Sequence, residues 1–173
     1  HTIVDVDDSL LGWWRFAEGN GSESENSYGP AGSAKLTGDA SWVSGYMNSG
    51  LELDGSGDFA YISDVEVPAG SPVTIEAWIK FNEFALQRGV PQGIFTGLYQ
   101  HQINNHFYFK GTGALFELSS LLKPGVWQHV VLTHTGTTSS AVIYIDGQPV
   151  QVSANKKAEA LDAIDGFGIG RSS

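Results

Sequence analysis

The sequence predicts an all-β protein: one domain built as an antiparallel sandwich of two sheets. Three observations carry that expectation. Glycine supplies 22 of the 173 residues, against an ordinary share of roughly 7%, and a glycine inside a helix costs about 1 kcal/mol relative to alanine. Aromatic residues reach 12% while charged residues stop at 16%, a balance that suits bulky strands around a core and excludes a disordered chain. Finally, apolar and polar residues alternate with period two between clusters of Gly, Pro, Asn and Ser, which is the pattern of half-buried strands.

Taken in chain order, the first strand is expected over Leu10 to Phe16 (LLGWWRF), followed by Leu51 to Leu53 and Phe59 to Ser63 around an Asp54-Gly55 turn. Val73 to Phe81 (VTIEAWIKF) alternates most clearly. Val73, Ile75, Ala77, Ile79 and Phe81 share one face; Thr74, Glu76, Trp78 and Lys80 share the other. Further strands are expected over Gly93 to Leu98, His106 to Lys110, Ala114 to Leu118, Val126 to Thr135, Ala141 to Ile145 and Gly166 to Gly170. Turn chemistry separates them at Pro68 to Pro72, Gly111 to Gly113, Pro124-Gly125 and Asp146-Gly147. Lys156 to Ile164 (KKAEALDAI) is the one stretch of helical composition. No linker, repeat or low-complexity block divides the chain, so residues 1–173 are read as a single domain.

Charge narrows the partners. Nine Lys and Arg against nineteen Asp and Glu leave a net charge of −10, and the basic residues are scattered. Nucleic acid and anionic membrane surfaces both require a basic footprint, so neither is an expected partner. No apolar run approaches the roughly 18 residues needed to insert into a bilayer. The absence of cysteine removes disulfides, thiolate catalysis and thiolate zinc sites. The chain opens on His1 and is read as a processed piece of a longer secreted or surface protein.

Four segments, in order, carry a resemblance. They are Trp14-Arg15-Phe16-Ala17-Glu18-Gly19-Asn20-Gly21, Leu51 to Phe59 (LELDGSGDF), Thr74 to Lys80 (TIEAWIK), and Trp127 to Val131 (WQHVV) with Ile143 to Gln148 (IYIDGQ). Together they resemble the laminin-G-like jelly roll of the concanavalin A-like lectin/glucanase superfamily. The resemblance implies a noncatalytic glycan-binding or adhesion module of an extracellular or cell-surface protein. It also implies a structural calcium ion near Glu18 and Asn26, although the family has Asp where this chain has Asn26. The family's further acidic strand after Gly170 is absent, which is expected to leave an edge open beside Leu11 to Phe16. Thr2 to Val6, a downstream stretch, or a strand from a neighbouring protein subunit is expected to cover that edge.

Catalysis is not expected. Fold relatives that cleave glucans resemble one another in an E-x-D-x-E strand carrying a carboxylate pair. The nearest match, Glu52-Leu53-Asp54-Gly55-Ser56, lacks the last carboxylate. Asp54-Gly55-Ser56-Gly57-Asp58 reads as a hairpin turn whose aspartates accept backbone N–H groups, with a metal loop as the alternative. His129 and His134, five apart on an expected strand, face opposite ways and share no metal; Trp78 and Trp127 are read as core or sheet-covering residues. The expected ligand-binding segment is Gly97 to Lys110 (GLYQHQINNHFYFK). Its Tyr99 and Tyr108 rings suit the C–H face of a sugar. His101, Gln102, Asn104, Asn105 and His106 supply donors and acceptors for hydroxyls. The leading expectation is therefore a lectin-like module whose partner is a glycan or polysaccharide. The alternatives are a structural or adhesive domain that binds protein and, less favoured, a glycoside hydrolase.

Overall fold

A computed structural model describes residues 8–54, 57–82, 93–95, 98–100, 106–109, 114–117, 121–137, 141–150 and 160–170, with backbone alone for the four strands between Gly93 and Glu117. The strands are β1 (Glu23–Ser24), β2 (Ala34–Thr37), β3 (Ser41–Ser44), β4 (Ser49–Glu52), β5 (Phe59–Val67), β6 (Val73–Lys80) and β7 (Gly93–Phe95). They continue as β8 (Leu98–Gln100), β9 (His106–Phe109), β10 (Ala114–Glu117), β11 (Trp127–His134), β12 (Val142–Ile145), β13 (Gln148–Val150) and β14 (Ile164–Ile169). An eight-stranded sheet runs β1-β2-β5-β14-β7-β8-β9-β10, a four-stranded sheet runs β13-β12-β11-β6, and β3 and β4 form a separate hairpin. Every pairing is antiparallel. The fold is the all-β sandwich that the sequence predicts. Among the described residues no helix is long and apolar enough to cross a membrane.

The alternation in β6 works as expected: Val73, Ile75, Ala77 and Ile79 pack on the core while Thr74, Glu76, Trp78 and Lys80 are exposed. β11 matches it, burying Gln128, Val130, Leu132 and His134. His129 is half-buried on the other face, so the two histidines are separated by the sheet. Ile143 and Ile145 of β12 join this layer, and Ala34, Ala60, Ile62, Val65, Val67 and Phe167 face it from the larger sheet. Each fully buried Ile, Leu or Val contributes about 1.5–3 kcal/mol.

Three segments differ from expectation. Leu10 to Phe16 is not a strand; its ladder is reduced to one isolated bridge between Trp14 and Asn26. The reason is chemical. The Trp13 N–H goes to the Asn26 side chain at 2.8 Å instead of to a backbone carbonyl, and Phe16 turns the chain at φ 49°. Trp14 packs against the core and donates its indole N–H to the Gly32 carbonyl at 2.9 Å, whereas Trp13 is 52% exposed under Arg15. Of the expected helix, residues 156–159 lie outside the described residues. Leu161 to Ala163 are irregular, and Ile164 opens β14. Leu161 is buried, with its N–H on the Gly136 carbonyl (3.3 Å) and its carbonyl on the Gly70 N–H (2.9 Å), bonds that replace helical ones. Gly136 and Gly70 meet so closely there that a Cβ on Gly136 would strike the Gly70 carbonyl. Finally, Gly93 to Leu98 divides between β7 and β8, while β1, β2, β3 and β13 are strands with no counterpart in the sequence reading. Thr2 to Val6 lie outside the described residues.

Candidate functional site

The outer face of the four-stranded sheet carries the densest group of exposed aromatic side chains with described geometry. Antiparallel register sets Trp78 opposite His129 and Lys80 opposite Trp127, and directly paired residues share a face. The β3–β4 hairpin lays its turn over them, held by a 3.0 Å bond from the Gly45 N–H to the Asn48 carbonyl, with Asn48 at φ 61°. That turn places the Tyr46 ring parallel to Trp78, centroids 3.8 Å apart and planes 7° apart, and edge-on to Trp127 at 6.3 Å. His129 lies 5.2 Å from Trp78 by ring centroids. Lys80 Nζ sits 5.6 Å from the Trp127 ring centre, and a Glu76 carboxylate oxygen lies 3.7 Å from His129 Nε2.

The rings remain accessible: Tyr46 is 49% exposed, Trp78 43% and the neighbouring Met47 72%. An exposed apolar patch rimmed by polar groups marks an interaction surface. Flat rings offer a stacking surface to C–H groups, while the imidazole, ammonium and carboxylate at the margin supply donors and acceptors. Trp78 and Trp127 are thus sheet-covering, one of the two places the sequence allowed them. Sequence reasoning missed Tyr46. The available signal was Trp78 itself, whose outward position in the alternation left a large ring in need of cover.

The expected ligand segment is described only in part. Tyr99 lies in β8, His106 and Tyr108 in β9; His101, Gln102, Asn104 and Asn105 lie outside the described residues. Backbone register sets Tyr99 directly opposite Tyr108, and His106 opposite Glu117 in β10. The two tyrosines therefore occupy one rung of the eight-stranded sheet, whereas the Tyr46 group covers the four-stranded one.

Glu18 and Asn26 are both engaged with their own chain. The Glu18 carboxylate accepts from Ser24 Oγ at 3.0 and 3.1 Å and from the Glu25 N–H at 3.0 Å. Asn26 Oδ1 accepts the Trp13 N–H (2.8 Å) and the Tyr28 N–H (3.2 Å). Its Nδ2 donates to the Ala31 carbonyl (2.6 Å) and the Gly29 carbonyl (3.2 Å). A cation needs oxygen ligands, and here an amide N–H₂ group is bonded to those two carbonyls. The residues present do not fit a calcium ion at Asn26. Elsewhere, Asp39, Asp54 and Asp58 bring carboxylate oxygens within 4.8 Å of one another. Asp58 is buried and accepts the Asp54 N–H, and Gly57 adopts φ 90°. The flanking strands β4 and β5 belong to different sheets and do not pair, so the segment expected as a hairpin turn connects two sheets instead. Clustered carboxylates alone assign no ion.

A second polar junction explains why two of the motifs occur together. Buried Gln128 accepts the Lys123 N–H at 2.6 Å and donates to the Leu121 carbonyl (3.1 Å) and to Asp146 Oδ2 (2.9 Å). Asp146 Oδ1 accepts the His129 N–H at 2.9 Å. Asp146 (φ 51°) and Gly147 (φ 77°) both adopt left-handed backbone, the pair a two-residue hairpin turn needs between β12 and β13. Hydrogen bonds from Gln128 and from the His129 N–H, with the nearby Lys123 charge, hold the Asp146 carboxyl below the ordinary carboxylate range. These motif residues build the sandwich.

Comparison with known proteins gives matches to a family and to solved structures. A sequence profile of the concanavalin A-like lectin/glucanase superfamily (Laminin_G_3) matches residues 54–173. No curated protein sequence matches the chain. Among solved structures, the chain is similar to domain 4 of AbnA, a GH43 extracellular arabinanase from Geobacillus stearothermophilus, determined in complex with arabinotriose. The TM-score is 0.62 at 18% identity, over 94% of this chain and 84% of that one. At that identity the likeness shows the fold.

Proposed function

The chain belongs to the concanavalin A-like lectin/glucanase superfamily, and from that premise we propose that it is a noncatalytic carbohydrate-binding module of an extracellular or cell-surface protein. The observation that carries the reading is the accessible Tyr46–Trp78–Trp127 group, with polar side chains at its margin. The Tyr99–Tyr108 rung is the second candidate contact, proposed on its sequence chemistry and on the register that sets the two residues opposite each other. The arabinotriose bound to the similar arabinanase domain makes arabinan the first polysaccharide to try. A noncatalytic role is supported on the small-sheet face, where β6 and β11 place one carboxylate, Glu76. Glycoside hydrolysis by the common mechanisms uses two.

Affinity electrophoresis through gels containing linear arabinan, β-glucan or an acidic polysaccharide tests this reading. The wild-type chain is retarded by at least one of them. Tyr46→Ala weakens that binding by about 1–3 kcal/mol, the scale of an aromatic hot spot, and Tyr99→Ala measures the share of the other surface. No retardation by any polysaccharide defeats the proposal, and release of new reducing ends defeats its noncatalytic part. The runner-up is an adhesive or assembling domain, favoured by the ends of the larger sheet at β1 and β10. A concentration-dependent oligomer without glycan affinity selects it.

A further inference from the structure

We infer that the Asn26 carboxamide takes the place of a cation in this chain, so that the N-terminal segment is docked without metal. The side chain ties together groups distant in sequence. Its oxygen accepts from Trp13 and Tyr28 while its nitrogen donates to Gly29 and Ala31. Two backbone bonds run alongside, Ser27 N–H to the Trp13 carbonyl at 2.8 Å and Ala31 N–H to the Leu11 carbonyl at 3.1 Å. The neutral N–H₂ group thus meets two carbonyl oxygens with partial positive charge, the electrostatic task an ion would perform. A carboxylate at this position cannot do the same, since an ionised Asp only accepts. It would face the Gly29 and Ala31 carbonyls oxygen to oxygen, an arrangement that needs a hard cation between the groups.

The role is independent of sugar binding, and thermal melting reads it without any ligand. Asn26→Asp lowers the melting temperature in EDTA by roughly 4–8 °C, and millimolar calcium chloride restores much of that loss, because an ion bound only to the folded state stabilises it. Asn26→Leu is destabilised to a similar degree but gains no calcium response beyond that of wild type. The quantity that decides is the calcium-induced shift in Asn26→Asp minus the shift in wild type: several degrees is expected, and a value of zero overturns the inference. A wild-type calcium response that disappears in Asn26→Leu also overturns it, since the ion would then bind at Asn26. A wild-type response that persists in Asn26→Leu belongs elsewhere, with the Asp39, Asp54 and Asp58 turn, and leaves the inference standing on the first criterion.

Discussion

Asn26 and Asp146 both hold loops through side-chain oxygens, yet they differ in what they can give back. Asn26 accepts two N–H groups and donates to two carbonyls. It fastens the segment before β1 with a group that carries no charge at any ordinary pH. Asp146 accepts only, from Gln128 and the His129 N–H, and leaves the carbonyl of Leu121 to the Gln128 amide. An amide closes a junction of mixed donors and carbonyls alone. A carboxylate needs an amide partner to finish the task. The lesson concerns what perturbs each junction: acid reaches one and not the other.

The largest effect is expected from removing that amide partner. Gln128→Leu leaves the Lys123 N–H, the Leu121 carbonyl and the Asp146 carboxylate each short of a bond. A loss of about 3 kcal/mol in urea unfolding is expected, since unsatisfied buried groups cost roughly 1–3 kcal/mol each. A loss below that of Asn26→Ala would break the ranking of the two junctions. Asn26→Ala should cost about 2 kcal/mol, less because its surroundings are more open to water, which can replace part of what is lost.

Asp146→Asn sharpens the contrast. Asparagine tolerates the left-handed backbone of the turn, so the fold survives, but its single amide oxygen accepts only one of the two N–H groups that the carboxylate holds, and the loss is about 1 kcal/mol. The smallest effect is the pH dependence. The folded carboxyl of Asp146 lies below its unfolded value of 3.8. Its contribution is therefore present above pH 3.8 and is lost as pH falls through the lower folded value. Wild type and Asn26→Ala should lose this increment in acid titrations of stability, and Asp146→Asn should lack it. Identical acid profiles for wild type and Asp146→Asn would remove Asp146 as the acid-sensitive member of the pair.

Legibility in the sequence follows the same division. β6 and β11 were readable because burial alternates strictly over eight positions, with Val73, Ile75, Ala77 and Ile79 on the core side of one and Val130 and Leu132 on the core side of the other. β2 and β3 were not, since Ala34–Thr37 and Ser41–Ser44 carry too few apolar residues to show a period. Leu10 to Phe16 has strand composition, but the Asn26 side chain takes an N–H that the ladder would use, and composition cannot show that competition. Lys156 to Ile164 fails as a helix across its described part because Leu161 bonds to two distant loops. The aromatic group was half visible: alternation turned Trp78 outward, but nothing local tied Tyr46 to a residue 32 positions later.

The close approach of Gly136 to Gly70 leaves the two ends of the four-stranded sheet unequal. At that end the backbones touch, and no side chain can be added to Gly136 without driving the loops apart. At the other end, Gly125 and Gly147 have open space around them, with nothing within 4 Å of an added Cβ. A side chain placed there would meet no neighbour, whereas one at Gly136 would meet the backbone of Gly70 and Ser71. Bulk at the Gly136 end therefore requires a backbone shift, and at the Gly125 end it does not.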